Sequence, residues 1–331
     1  MKNRNVNIDA YRIFLMYGIC MLHSITQAGH NRAWIANMFE WCVPGFAFIS
    51  GWYGVRFTWS KLFRLFLTSV YCVMVFFLFD AAVNGGKIDY SRIYTTAVNQ
   101  WFLTAYAVMM CLAPLIDIAL EKVYLMFKTH DYMGIFKIVS PYLACVFVWS
   151  FSCGLPGIRH VMPVATGLTG FSFTTLLGVY IAARLVRFAI ESGNPKLLAL
   201  NRKTVMIPCL VCCLFAASIG MGDYQSPFSL GIAACAFLLF MRLRLCKWLQ
   251  CILTVLAPSM FSVYLMHSHG LAWNYLATIE NGFLKSGVPL VLAYAFTAAV
   301  VFGACVVGDL PRRGFALVFM KCMSRKRVSN A

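Results

Sequence analysis

Residues 62–83 read LFRLFLTSVYCVMVFFLFDAAV, and their only charged side chains are Arg64 near one end and Asp80 near the other. A helix rising 1.5 Å per residue needs about 20 mostly apolar residues to cross a bilayer. This stretch meets that requirement. Working outward with the same window gives ten candidate spans in all: 11–29, 34–55, 62–83, 99–119, 134–153, 166–187, 204–221, 227–245, 254–275 and 288–309. Pro44 and Pro258 fall inside spans, where membranes tolerate proline and the helix can kink. The segment from Asn84 to Asn99 is polar enough for an external loop.

Composition agrees with this reading. The chain has 331 residues, of which 61% are hydrophobic and 12% charged, with a mean hydropathy of +0.75. Soluble domains are about 45–50% apolar and about 25% charged. Disorder, collagen, coiled coil and a secreted disulfide scaffold are excluded. The expected fold class is all-α: a polytopic integral membrane protein with about ten transmembrane helices, both termini cytoplasmic and one domain over 1–331.

The termini follow from the distribution of cations. Alternating sides between the ten spans places 23 of the 28 Lys and Arg on the side of the N-terminus and 5 on the other. Cytoplasmic loops are enriched in Lys and Arg, and one missed or extra span would scramble the split. The net charge of +17 would suggest nucleic acid in a soluble protein. Here the cations sit in short loops, where anionic lipid headgroups and cytoplasmic anions are the expected partners, and no nucleic acid is expected. The first span follows a basic start and resembles a signal peptide, but Asp9, Arg12 and His23 are odd occupants of one. It is therefore read as a retained helix. The cysteines sit mostly inside apolar runs; the cluster Cys209, Cys212 and Cys213 has apolar neighbours and no further ligands, so no metal is expected.

Ionisable residues inside spans are costly, and each is a functional candidate. Arg12 and His23 are separated by 11 residues, three helical turns, so both emerge on one face about 16 Å apart. Asp9 lies one turn before Arg12 and can pair with it. His267, in the ninth span, falls at a similar depth in the outer half, whereas His269 faces away from it. Glu40, near the outer end of the second span, could tune a histidine, bind a substrate hydroxyl or complement a helix N-terminus. Trp101 and His160 also lie on the outer side. Arg56, Lys61 and Arg64 cluster at the turn between the second and third spans, where they suit either a polyanion such as a nucleotide phosphate or lipid headgroups. Cations inside, with histidines and a carboxylate outside, fit an anionic donor in the cytoplasm and a neutral acceptor beyond the membrane. They also fit a secondary transporter or exporter of a glycan or small metabolite, although no internal repeat of the kind common in transporters is evident.

The chain resembles the acyltransferase-3 family of membrane acyltransferases. The resemblance is carried by Asn7-Ile8-Asp9-Ala10-Tyr11-Arg12 running into His23, and by Val43-Pro44-Gly45-Phe46-Ala47-Phe48-Ile49-Ser50-Gly51. It continues in Lys61-Leu62-Phe63-Arg64-Leu65, Trp101-Phe102-Leu103, Gly178 within Leu176–Tyr180, and the stretch Tyr264–His267. These occur in the family's order over nearly the whole chain. The stretch Phe46-Ala47-Phe48 departs from a bulkier aromatic pair, and Glu40 has no counterpart.

The resemblance implies transfer of an acyl group, commonly acetyl, from a cytoplasmic coenzyme A thioester to a hydroxyl on a surface carbohydrate or lipid-linked glycan. The expected location is the bacterial cytoplasmic (inner) membrane. His23 would be the essential histidine, acting as base or as acyl carrier, with Arg12 and Asp9 beside it. Arg12, Lys61, Arg64 and Arg56 would hold the phosphates of acyl-CoA, and Ser50 would supply a hydroxyl near the thioester. Glu40, Trp101 and His267 are the acceptor-side candidates. Any partner needed to complete the transfer is expected to be a separate chain.

Overall fold

A computed structural model of the chain describes residues 5–27, 33–83, 101–141, 144, 171–194, 198–199, 201–221, 226–268 and 270–329. Among these residues the fold is entirely helical. The elements are α1 (Val6–Gln27), α2 (Ala33–Asn37), α3 (Cys42–Tyr53), α4 (Trp59–Val83), α5 (Trp101–Lys128) and α6 (Phe171–Glu191). They continue as α7 (Lys203–Ala216), α8 (Pro227–Phe240), α9 (Lys247–Leu256), α10 (Met260–His267), α11 (Gly270–Lys285) and α12 (Leu290–Ser329). A further helical stretch runs over 132–141. The external loop expected over 84–99, most of the fifth span beyond 141, and His160 lie outside the described residues.

Five helical segments are long and apolar enough to cross a membrane: Trp59–Val83, Phe102–Lys128, Lys203–Met221, Lys247–His267 and Leu290–Phe315. The first coincides closely with the stretch over 62–83. Its outward face is strongly apolar, with Phe63, Phe66, Met74 and Leu78 each 59–62% exposed. That pattern suits lipid contact, because hydrocarbon carries no penalty for an exposed apolar side chain.

Two expected spans have internal breaks. The run over 34–55 is divided by a turn at 38–41 into α2 and α3. The run over 254–275 is broken after α10, which ends at His267, and the chain starts again as α11 at Gly270. Here Lys247–His267 forms one segment, built from α9, a 3₁₀ turn at Ala257–Ser259 that contains Pro258, and α10. Proline lacks the backbone N–H that an uninterrupted α-helix would use, which accounts for the local change of winding. The eighth run is also shorter than expected: α8 covers 14 residues, with Ser226 capping its start by accepting from Phe228 N–H at 3.2 Å.

Helix α1 lies at the centre and packs against α3, α8, α11 and α12. Tyr11 and Leu15 are fully buried, and the Tyr11 hydroxyl donates to Ala233 O at 2.9 Å. One turn and a half further on, Tyr17 donates to Ala295 O at 2.8 Å. These bonds tie α1 to α8 and α12, and each satisfies a hydroxyl that would cost about 1–3 kcal/mol if buried unpaired.

Several helix ends meet at one end of the bundle. Asn7 Nδ2 donates to the carbonyls of Met241 and Leu243, both at 3.0 Å, joining the start of α1 to the end of α8. Arg187 Nη1 donates to Trp52 O at 2.7 Å, joining the ends of α6 and α3. Nearby, Asp117 of α5 accepts from Tyr180 Oη and Arg184 Nε of α6, both at 3.0 Å. Tyr180 in turn accepts from Val55 N–H at 3.2 Å. Gly54, with φ of +74°, closes α3 in a conformation that favours glycine and turns the chain toward α4.

Candidate active site

Arg12 and His23 lie on the same face of α1, as their spacing predicts, and both line one cavity of about 500 Å³. That volume lies within the range of ordinary small-molecule sites. Most of its wall is apolar, including Met16 and Ile19 of α1, Phe46 and Ile49 of α3, and Phe102 and Tyr106 of α5. Leu65 of α4 and Pro258, Phe261 and Tyr264 of the broken segment complete that part of the lining. The cavity therefore follows α1 for about three turns, with a cation toward one end and an imidazole toward the other.

At the Arg12 end, the side chain is 44% exposed and its Nη1 lies 3.7 Å from Asp9 Oδ1. Asp9 is almost wholly buried. The separation is longer than a direct charge-assisted hydrogen bond, which leaves much of the guanidinium available to another anion. Ser50 also lines the cavity, and its hydroxyl donates back to Phe46 O at 3.1 Å. The adjacent Gly51 sits so close to α6 that a Cβ there would meet the backbone carbonyl of Tyr180 and lie 2.8 Å from Ala183 Cβ. This close approach fixes α3, which carries Phe46, Ile49 and Ser50 of the cavity wall, against α6.

The other end is built by a histidine pair. The rings of His23 and His267 lie 5.0 Å apart between centroids, and the indole of Trp273 meets His23 edge-on at 6.1 Å. His267 is fully buried, and its Nδ1 is 2.6 Å from Val263 O. A carbonyl can only accept, so Nδ1 carries the proton and the neutral ring keeps its lone pair on Nε2. Among the described residues, His267 Nε2, His23 Nδ1 and Trp273 Nε1 are buried without a hydrogen-bond partner. Ser268 Oγ, directly after His267 and in the cavity lining, is likewise unpaired among them. Four such atoms gathered here are unusual, because buried polar groups are nearly always paired.

The remaining expected site residues are placed differently. Arg56, Lys61 and Arg64 are exposed and do not line the cavity, although Leu65, next to Arg64, does. Lys61 Nζ donates to Arg56 O at 2.8 Å, which holds the cluster together at the turn. Glu40 lies in the turn between α2 and α3 and is not part of the lining. Trp101 begins α5, and its side chain lies outside the described residues, as does His269. Sequence reasoning did not single out Tyr106 or Trp273 as cavity residues.

An all-helical, multi-pass membrane protein with paired histidines at the end of a long apolar cavity is the class defined by fold and site. The family model described as an acyltransferase domain matches residues 5–309, so the chain belongs to the acyltransferase-3 family and is a membrane acyltransferase. The acyltransferase reading thereby displaces that of a transporter. No curated protein and no solved structure matches the chain.

Proposed function

We propose that the protein transfers an acyl group, commonly acetyl, from cytoplasmic acyl-CoA to a hydroxyl of a cell-surface carbohydrate or lipid-linked glycan. The observation that carries this reading is the single cavity lined by Arg12, Ser50 and His23. A donor of this class has an anionic nucleotide, a long flexible arm and a reactive thioester at the far end. The exposed cations at the turn suit the nucleotide, Arg12 suits an anion nearer the cavity, and the apolar wall suits the arm. His23 then stands where the thioester would arrive.

In this mechanism His23 removes the proton from the attacking hydroxyl. A hydrogen bond from His23 Nδ1 to the lone pair on His267 Nε2 would direct the basic Nε2 of His23 toward the reactants. The alkoxide oxygen bonds to the acyl carbon, the carbon–sulfur bond breaks, and the proton held by His23 passes to the departing thiolate. His267 acts as a positioning residue in this scheme. Glu40 and Trp101 remain candidates for acceptor contacts on the outer side, and the bacterial inner membrane is the proposed location.

Membrane vesicles containing the full chain and labelled acetyl-CoA provide the test. The expected result is label in lipid- or glycan-linked material. Failure with acetyl, succinyl and longer-chain thioesters alike would overturn the donor assignment.

The cation cluster has a separate expected signature. Arg64→Gln and Lys61→Gln should each raise the KM for acetyl-CoA about fivefold, since one exposed charge contact contributes about 1 kcal/mol. The maximal rate should be unchanged and the wild-type KM should rise with salt. Unaltered donor KM in both variants would assign the cluster to lipid anchoring instead.

A further inference from the structure

Beside His23, Trp273 brings to the cavity a polar atom with a single chemical role. The indole N–H can donate and cannot accept. Its Nε1 is buried without a partner among the described residues, and the ring both lines the cavity and packs edge-on against His23 at 6.1 Å. The break after His267 is what makes this possible. α10 delivers His267 to the back of His23, the chain restarts at Gly270, and α11 then places Trp273 against the same ring.

Acyl transfer develops negative charge at one defined atom. When the alcohol oxygen bonds to the thioester carbon, the carbonyl π electrons move to the carbonyl oxygen. The resulting oxyanion collapses when the carbon–oxygen double bond reforms and the carbon–sulfur bond breaks. A donor fixed in a water-poor site stabilises that oxygen more in the transition state than in the ground state, and therefore acts on rate more than on binding. The described part of the cavity near His23 has Arg12 three turns away, too remote to serve.

We infer that the Trp273 indole N–H donates to the oxyanion formed beside His23, which would make Trp273 a catalytic residue. This inference rests on the acyl-thioester reading of the cavity. It also accounts for an indole N–H left unpaired in a buried position, which a purely apolar ring would avoid.

The test is Trp273→Phe, which retains an aromatic ring beside His23 and removes the donor together with part of the indole's bulk. In vesicles with labelled acetyl-CoA, its maximal rate should fall about a hundredfold, in the range seen when one oxyanion donor is removed. The KM for acetyl-CoA should stay within about threefold of wild type, as should the affinity for coenzyme A, which lacks the acyl carbonyl. Thermal melting of the purified full chain checks that the variant is folded. A maximal rate within about threefold of wild type would overturn the role. So would a loss of coenzyme A affinity as large as the loss of rate, because Trp273 would then only shape the cavity. Absence of transfer by the wild type would remove the donor reading and this inference with it, whereas wild-type transfer with an undiminished phenylalanine variant removes only the role of Trp273.

Discussion

His23→Ala should lower acyl transfer about a thousandfold while leaving the protein folded and inserted. General-base catalysis is worth about 10²–10⁴ in rate, and no other described imidazole lines the cavity. His267 is adjacent but lies behind His23, with its Nδ1 committed to Val263 O. It is therefore poorly placed to substitute. The surrounding helix should survive the change because α1 is tied to its neighbours elsewhere, through Tyr11 and Tyr17. Alanine is also the best helix former. Rate measurements at equal protein, combined with thermal melting, separate loss of chemistry from loss of structure. Transfer within threefold of wild type would exclude His23 as the base.

A second large effect is expected in stability. Gly51→Ala should destabilise the protein by about 3 kcal/mol, a sizeable part of the 5–15 kcal/mol that holds a typical native state together. The new methyl group would meet the Tyr180 backbone carbonyl, and backbone cannot swing aside as a flexible side chain can. α3 and α6 would have to separate, disturbing the Arg187 contact to Trp52 O and the Tyr180–Val55 bond that lie beside the contact. Gly303, also helical, has no atom within 4 Å of a built Cβ. Gly303→Ala should therefore gain up to about 1 kcal/mol from helix propensity. Melting temperatures of the two variants should move in opposite directions. Equal shifts would show that the α3–α6 approach is looser than described.

Much of this site follows from periodicity. The separation of Arg12 from His23 is enough to place both on one face of α1, and counting residues from the helix ends brings His267 to a similar depth. Small residues at Ser50-Gly51 signal close helix contact, which Gly51 makes with α6. Other features depend on distant chain segments. The Asp117–Arg184 pair joins residues 67 apart in sequence, and nothing local announces it. The break after His267 is equally hard to see, because the polar stretch His267–Gly270 is only four residues long and a hydropathy window runs through it to the apolar residues that resume at Leu271. Trp273 consequently reads as part of the same span, when it belongs to a helix that approaches His23 anew. The basic turn is legible as a charge cluster, but its position outside the cavity depends on how α4 packs against α10 and α12.

The most direct measurement is the structure of the full chain in lipid nanodiscs with coenzyme A bound. The donor reading predicts nucleotide phosphates near Lys61 and Arg64, an arm running past Arg12 and Ser50 through the apolar cavity, and the sulfur beside His23 and Trp273. Coenzyme A bound outside this cavity, or with its sulfur remote from His23, would contradict it.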